Sequence, residues 1–315
     1  MRKFTWTAGI LTRTRATQSG MAAFAGAPVG GTLLVCALQL QLRPSGSRDA
    51  KLSNIASACD AIREHHTSGR HQIYLLPELC PVGYSDETFS ACEIIRESSS
   101  SGDCFLAFSA LAQELSSFIC YGVIGCRPSG ASCIRHVVVG PDDDGSTAVP
   151  GPVRSKAVFD KIHICNFGVC SEATFFEAGD TPCVFDAFGF TVGLLICADI
   201  RSPELSRLLV ADYGCTVILH PVAFARDESF ASYHHFAVTR ALENQVYWVS
   251  VNYSGDDFGG SISVPPMVGS PGWEQPTTLG NEEGALCTVV RQAVIAKARE
   301  AYPFLKHAKF QYKSI

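Results

Sequence analysis

The stretch Phe190-Thr-Val-Gly-Leu-Leu-Ile-Cys197-Ala-Asp-Ile-Arg-Ser-Pro-Glu204 constrains this chain more than any other. Phe190 to Ile196 is a short, nearly continuous apolar run, the pattern of a strand buried on both faces. The run stops at Cys197. Pro203, with its fixed φ, favours a first helical turn, and Glu204-Leu-Ser-Arg-Leu-Leu-Val-Ala211 continues with helix formers. These signals place a thiol at the C-terminal tip of a central strand, just ahead of a helix. Backbone N–H groups in such a turn can depress a thiol pKa and hold a developing oxyanion. A buried core cysteine would give the same local pattern, so its meaning depends on the rest of the chain.

Two other motifs decide between these readings. Leu76-Pro77-Glu78 follows the apolar segment Gln72–Leu76, and Phe159-Asp160-Lys161-Ile162-His163 follows Ala157-Val158. With Cys197 they give the order glutamate, lysine, cysteine, each closing or following a strand-like run. The set resembles the nitrilase, or carbon–nitrogen hydrolase, superfamily. There a glutamate lies in a Pro-Glu segment, a lysine in a Lys-x-His segment, and the cysteine precedes Asp-x-Arg-x-Pro-Glu. The matching residues here are Glu78, Lys161 and Cys197, with Asp199, Arg201, Pro203 and Glu204 completing the cysteine signature. Any one of these motifs is weak alone; all three in order are specific. Between lysine and cysteine, Ser171-Glu172 to Gly179-Asp180 resembles the family segment that carries a second glutamate. Glu172 is its match, since its spacing to Gly179-Asp180 fits better than that of its rival Glu177.

The resemblance extends over residues 32–312 and implies an α/β fold, a four-layer α-β-β-α sandwich that pairs into a homodimer or higher homo-oligomer. It implies a Glu-Lys-Cys triad that hydrolyses a non-peptide carbon–nitrogen bond through a thioester, with release of ammonia and without metal or organic cofactor. An amide carbon is a poor electrophile, so attack needs a thiolate and a held oxyanion. Glu78 is then the base for the thiol, the acid for departing ammonia and the base for the hydrolytic water. Lys161 and the Ala198 N–H hold the oxyanion, and Glu172 keeps Lys161 and the substrate in register. Burial and Glu172 should raise the Glu78 pKa, while Lys161 pulls it down.

Along the chain, Thr32–Gln39 reads as a buried strand and residues 51–66 as an amphipathic helix, with Leu52, Ile55, Cys59 and Ile62 at helical spacing. Gln72–Leu76 completes a β-α-β unit, which puts Glu78 at a strand's C-terminal end, where open α/β sheets place their ligands. A helix through Phe105–Leu115 and antiparallel strands at Phe118–Cys126 and Ile134–Val139 follow. The Gly/Pro-rich residues 145–152 form a loop. After the cysteine helix, Thr216–Leu219 is a parallel strand, and the loop His220-Pro221-Val-Ala-Phe224 should border the same pocket. His220 and Phe224, with Ala198, are therefore the candidate substrate-binding residues. Arg240 and Glu243, three apart on a helix, read as a structural pair. Val246–Val251 and Gly259–Val264 are further strands. The tail with Tyr302-Pro-Phe-Leu305 and Tyr312 resembles one that packs on a partner subunit.

A hydrophobic content of 47% supplies a large core for 315 residues, and no apolar run reaches the length of a membrane span. The net charge of −5 gives no reason to expect nucleic acid. Fourteen cysteines, scattered and often within apolar runs, point to a reducing, cytoplasmic setting. Residues 1–31 read as an extension outside the fold. They are basic and acid-free, like a mitochondrial presequence, and Met21 offers an alternative start.

Ala198 stands where family members commonly carry an aromatic or histidine, which leaves more room near the reactive carbon. The Cys-x-Asp pattern resembles amidase branches, so a small linear amide is the expected substrate. A nitrilase or an N-carbamoyl amidohydrolase would use the same triad. A papain-like hydrolase would use His163, His220 or His234 as base, but no papain signature surrounds Cys197. A metal-binding protein would have to rely on His163, Cys165 and Cys170, which lack a second ligand pair of the usual form.

Overall fold

Alternate residues of the first strand bury against two different layers, and the architecture follows from that division. The computed structural model describes residues 31–308, apart from 45, 142–155, 169 and 270. In β1 (Thr32–Gln39), Leu33, Val35 and Ala37 join one apolar cluster, while Leu34, Cys36 and Leu38 join another. A strand covered on both faces has to read as a continuous apolar run. Helix α1 (Arg48–Glu64), whose first turn is capped by Ser47, turns Ile55, Ala58, Cys59 and Ile62 inward over this strand and crosses to β2 (Gln72–Leu75). The short helices α2 (Asp86–Ser90) and α3 (Cys92–Ile95) precede α4 (Asp103–Glu114), which lies beside α1. Then come β3 (Phe118–Cys126), β4 (Ser132–Val139) and β5 (Ala157–Asp160).

The second half repeats this plan. β6 (Cys183–Ala187) and β7 (Phe190–Leu194) form a hairpin, and α5 (Pro203–Ala211) crosses to β8 (Val217–Pro221). Helix α6 (Ala231–Asn244) leads to β9 (Tyr247–Val251), followed by β10 (Ile262–Val264) and β11 (Thr277–Thr278). The chain then returns to the first sheet as β12 (Gly284–Arg291) and continues into α7 (Gln292–Ala301) and α8 (Phe304–His307).

Two six-stranded sheets result, ordered β12-β1-β2-β3-β4-β5 and β11-β10-β9-β8-β7-β6. β1, β2 and β3 run parallel, as do β7, β8 and β9; the flanking pairs are antiparallel. The sheets face each other across the larger core, with α1 and α4 outside one and α5 and α6 outside the other. This is the four-layer α-β-β-α sandwich. The parallel centres bring the C-terminal ends of β2, β7 and β8 to one end of the molecule.

The structure corrects the sequence reading in four places. β6 pairs outside β7, so the strand that leads to Cys197 is second from the edge rather than central. Five residues between a polar turn and Phe188-Gly189 are too short a run to announce β6. His220 and Pro221 belong to β8, paired in register with Ser250 and Val251, and are not loop residues. β12 and α7 have no counterpart in the sequence reading, because β12 fully buries only Leu286 and Val290 and so lacks a continuous apolar signature. The expected helix at 51–66 begins earlier, at Arg48, because Ser47 Oγ accepts the Ala50 N–H at 3.3 Å and starts the helix there.

Among the described residues no helix is long and apolar enough to cross a membrane. The expectations for the N-terminal extension, the 145–152 loop and Tyr312 fall outside the described residues.

Candidate active site

Glu78 follows β2 by three residues, and the chain must turn sharply to present it. Leu79 takes φ 51°, and its backbone passes so close to β3 that a Cβ at Gly122 would strike the Leu79 nitrogen. Lys161 directly follows β5, and its N–H donates to Ile134 O at 2.9 Å. The segment that carries Glu172 is drawn against this point. The Gly179 N–H donates to Lys161 O at 2.7 Å, and a Cβ at Gly179 would strike the Asp160 carbonyl oxygen. Glu172 itself opens a 3₁₀ turn, Glu172–Thr174.

Cys197 opens a second 3₁₀ turn, Cys197–Arg201, with φ 43°, a conformation that costs a non-glycine residue about 1 kcal/mol or more. Two buried side chains hold that turn. The Asp199 carboxylate accepts the Ile196 N–H at 3.0 Å, the His163 N–H at 2.8 Å and the His163 Nδ1–H at 2.7 Å. It therefore ties the Cys197 turn to the loop after Lys161, which gives the Asp of the cysteine signature a physical task. From the other side, His220 Nε2–H donates to Cys197 O at 2.9 Å. A carbonyl can only accept, so Nδ1 of this buried imidazole is the acceptor of the Ser250 hydroxyl, and the Trp248 indole N–H donates to Ser250 Oγ in turn. Burial holds His220 neutral, with its pKa pushed down to about 3.

Four polar side chains meet without access to water, save a small opening at the thiol. Lys161 Nζ donates to Glu78 Oε1 at 2.8 Å and to Glu172 Oε1 at 2.7 Å, all three side chains being fully buried. Glu78 Oε2 accepts the Ala223 N–H at 3.0 Å, and its carbonyl accepts the Tyr253 hydroxyl. Glu172 Oε1 also accepts the Tyr84 hydroxyl at 2.6 Å, and Oε2 accepts the Cys165 N–H at 2.7 Å. Burial pushes Glu78 up to about 7; Lys161 pulls it down and Glu172 pushes it up. Burial alone would discharge Lys161, but Glu172 and Glu78 outweigh it and hold the ammonium. Burial, with Glu78 beside it, keeps the Cys197 thiol protonated despite Lys161. The arrangement is a protonated thiol, next to a carboxyl that titrates near neutrality, next to a fixed cation. That set can pass a proton from sulfur to carboxylate while a positive charge waits for a developing oxyanion.

The structure brings Glu78, Lys161, Glu172 and Cys197 together. Glu177 lies at the surface, where Arg127 and Ser129 bind it. Ala198 is buried in the Cys197 turn, and Phe224 packs at the same end, stacked on Tyr233 with ring centroids 4.9 Å apart. Asn252 fixes Phe224 by bonding its N–H and C=O, at 3.0 Å each. His220 differs from its assignment as a pocket residue: both ring nitrogens are occupied and it is fully buried, so it acts on the Cys197 backbone. Of the other histidines, His163 bonds Asp199 and His234 Nε2 bonds Gly260 O. No group of three or more His, Cys, Asp or Glu among the described residues could hold a metal ion.

Sequence reasoning missed Tyr84, Tyr253, Asn252 and the position of Arg201. In the sequence Tyr84 is only a neighbour of Glu78, and Asn252 only the end of a strand. Arg201 closes the Cys197 turn. Its guanidinium lies over Phe167, Phe236 and Phe224, 5.0, 5.3 and 5.5 Å from the ring centroids. It reaches Ser229 Oγ at 3.5 Å, and no carboxylate among the described residues pairs with it.

Comparison with known proteins supplies an independent line. Residues 34–279 match the carbon–nitrogen hydrolase family. The omega-amidase NIT2 of Mus musculus is 30% identical over 292 residues, which cover 88% of this chain and 95% of the mouse protein. Omega-amidase NIT2 of Homo sapiens is 28% identical over 267 residues, 82% of this chain and 90% of its own. Among solved structures, Nit3 of Saccharomyces cerevisiae, a nitrilase-superfamily member, superposes with a TM-score of 0.72 at 20% identity, covering 91% of this chain and all of that one. A Nesterenkonia amidase of the same superfamily gives 0.63 at 25% identity, covering 87% and 97%.

Proposed function

This chain belongs to the carbon–nitrogen hydrolase family as an amidase-like enzyme, and on that basis we propose that it hydrolyses a small linear amide bearing a carboxylate at its other end. The observation that carries the chemistry is the shared ammonium: Lys161 Nζ bonded to both Glu78 and Glu172 beside Cys197. As Cys197 Sγ attacks the amide carbon, Glu78 takes the thiol proton. The oxyanion is received by Lys161 and the Ala198 N–H. Collapse of the tetrahedral intermediate breaks the C–N bond, and Glu78 returns its proton to the leaving nitrogen, which departs as ammonia. Glu78 then draws a proton from water, which attacks the thioester, and the thiol is restored as the acid leaves.

Two features favour this substrate class. Arg201 presents a cation without a carboxylate partner among the described residues, four residues from Cys197 and framed by aromatic rings; a guanidinium fork suits a carboxylate. The relatives to which the chain is similar are named omega-amidases, which supports an amide as the substrate. A nitrile nitrogen offers no N–H to the cluster's carboxylates, a deficit of about 1–3 kcal/mol per unpaired group. N-carbamoyl compounds also present an N–H₂ group and are the nearest competitor.

The test is ammonia release by purified protein against carboxylate-bearing ω-amides, neutral aliphatic amides, N-carbamoyl amino acids and nitriles, with Cys197→Ala as blank. Carboxylate-bearing amides should be cleaved fastest, and Arg201→Met should raise KM for those while changing neutral amides little. Cleavage of nitriles alone would refute the amidase reading, and preference for a neutral amide would refute the role given to Arg201.

A further inference from the structure

The first sheet carries a pair of facing thiols, remote from Cys197. Cys36 and Cys287 are Cα partners in the antiparallel β1–β12 ladder, and their sulfurs are 3.1 Å apart. Opposed Cα atoms in such a ladder are about 4.5 or 5.5 Å apart, depending on ladder position. Both values lie within the roughly 4.4–6.8 Å that a disulfide spans, so the sulfurs need approach by only about 1 Å to reach the bonded distance.

The two thiols differ in access. Cys36 is fully buried under the helical layer with Leu34 and Leu38, whereas Cys287 is exposed on an edge strand. An oxidant can therefore reach one sulfur and not the other, the division of labour between an attacking and a resolving thiol. Cys126, the other exposed cysteine among those described, bonds only backbone oxygens of Arg127 and Gly130. The Cys36 thiol hydrogen-bonds to Cys287 and draws its pKa down to about 7, against burial, with His65 assisting; the Cys36 pKa moves up. Cys287 itself lines a cleft of about 250 Å³, with Ser263, Glu274, Gln275, Thr288 and Arg291 around it. Glu274 and Arg291 pair there at 2.6 Å and leave the cleft without an unpaired charge for an ion, so a small uncharged hydroperoxide is the suitable class.

We propose that Cys36 and Cys287 form a reversible intramolecular disulfide when a hydroperoxide oxidises Cys287. The Cys287 thiolate attacks the peroxide oxygen, the O–O bond breaks, and the leaving oxygen takes the proton lost by the thiol. Cys287 is then a sulfenic acid. The Cys36 sulfur attacks it, and the hydroxyl departs as water with the Cys36 proton. Two thiols are oxidised and one peroxide reduced, so the atoms balance with hydrogen peroxide giving two waters. The bond joins positions 251 residues apart and pins β12, with the α7 that follows it, to β1. Closing so long a loop constrains the unfolded chain strongly. Cys36 lies in the helix-side cluster and Cys197 in the inter-sheet one, so the staple should act on stability.

The experiment treats the full-length protein with stoichiometric hydrogen peroxide at neutral pH, blocks residual thiols and maps the peptides. The expected result is a linked Cys36–Cys287 peptide pair, a faster-migrating monomer on non-reducing gels and an upward shift in Tm. All three should be reversed by dithiothreitol and absent in Cys287→Ser and Cys36→Ser. Should the buried Cys36 variant fail to fold, the exposed Cys287 variant suffices. Recovery of Cys287 as sulfinic acid or free thiol with Cys36 unlinked would overturn the proposal. So would a Cys287–Cys287 link between copies.

Discussion

The charge on Glu172 should set the pH at which Glu78 becomes a base, and Glu172→Gln isolates that effect. Both carboxylates lie within 2.8 Å of Lys161 Nζ; with the two bonds spread at least as widely as an ammonium's N–H directions, the bonded oxygens are roughly 5 Å apart. At an effective dielectric near 20, two unit charges at about 5 Å repel by about 3 kcal/mol, or about two pKa units. Glutamine keeps the shape and removes the repulsion, and Lys161 is left with Glu78 as its carboxylate partner. The Glu78 pKa, held up at about 7 by burial, should then fall to about 5. The wild-type enzyme loses its base as pH drops through 7; the variant should keep it for about two further units.

The assay is kcat/KM against pH for both proteins, since that ratio reports ionisations of the free enzyme. The plateau of the variant should be lower, because Lys161 is held less firmly. Its acid limb should nevertheless move about two units toward acid. The introduced amide has a single oxygen, so it cannot accept from Lys161, Tyr84 and Cys165 at once in the wild-type pattern. One buried donor is left short, at about 1–3 kcal/mol, so the profile is measured well below the lowered Tm. An acid limb that stays near the wild-type position, or moves to higher pH, would refute the argument that Glu172 raises the base.

Lys161→Met leaves two buried carboxylates without their shared cation. Stability should drop by about 3–5 kcal/mol and kcat by about 10²-fold or more, and urea unfolding with ammonia release checks both. Cys197→Ala should release no ammonia while its Tm stays close to wild type, since one sulfur is removed at a strand tip; turnover in this variant would exclude the thiol as nucleophile. Gly179→Ala forces a methyl group against the Asp160 carbonyl, so both Tm and kcat should fall, and unchanged values would mean the segment is not positioned by this contact. Deleting residues from Tyr302 onward should weaken self-association in sedimentation runs, and full-length protein that is monomeric at micromolar concentration would count against that expectation.

Strands covered on both faces are legible in the sequence because little that is polar interrupts them: β1, β3 and β7 each announce themselves as nearly continuous apolar runs. The elements that were missed bury less. β12 is an edge strand that turns only Leu286 and Val290 fully inward, and its eight-residue pairing with β1 is a long-range choice that no local pattern reports. β6 is likewise an edge strand, five residues long, recognisable only once β7 is there to pair with it. The consequence is specific. Without β6, the strand before Cys197 looks central, although its distance from the sheet edge does not affect how its C-terminal tip is presented.

The site divides along a similar line. Glu78, Lys161, Glu172 and Cys197 are legible because each sits beside a strand end or a marked turn, and the turn chemistry is written locally in Pro77, Gly179 and Pro203. What orients them is hidden, because it comes from distant parts of the chain. Tyr84 reaches Glu172 across 88 positions, Tyr253 reaches the Glu78 carbonyl across 175, and Ala223 reaches the Glu78 carboxylate across 145. His220 shows how proximity in sequence misleads. It stands at the end of a parallel strand, where ligand-binding residues gather, yet its register opposite Ser250 turns the imidazole inward. There it serves the Cys197 carbonyl. A neutral ring that donates from Nε2 and accepts at Nδ1 satisfies that carbonyl and the Ser250 hydroxyl together. A left-handed cysteine needs such a partner, because its strained turn persists only while the surrounding contacts over-determine it.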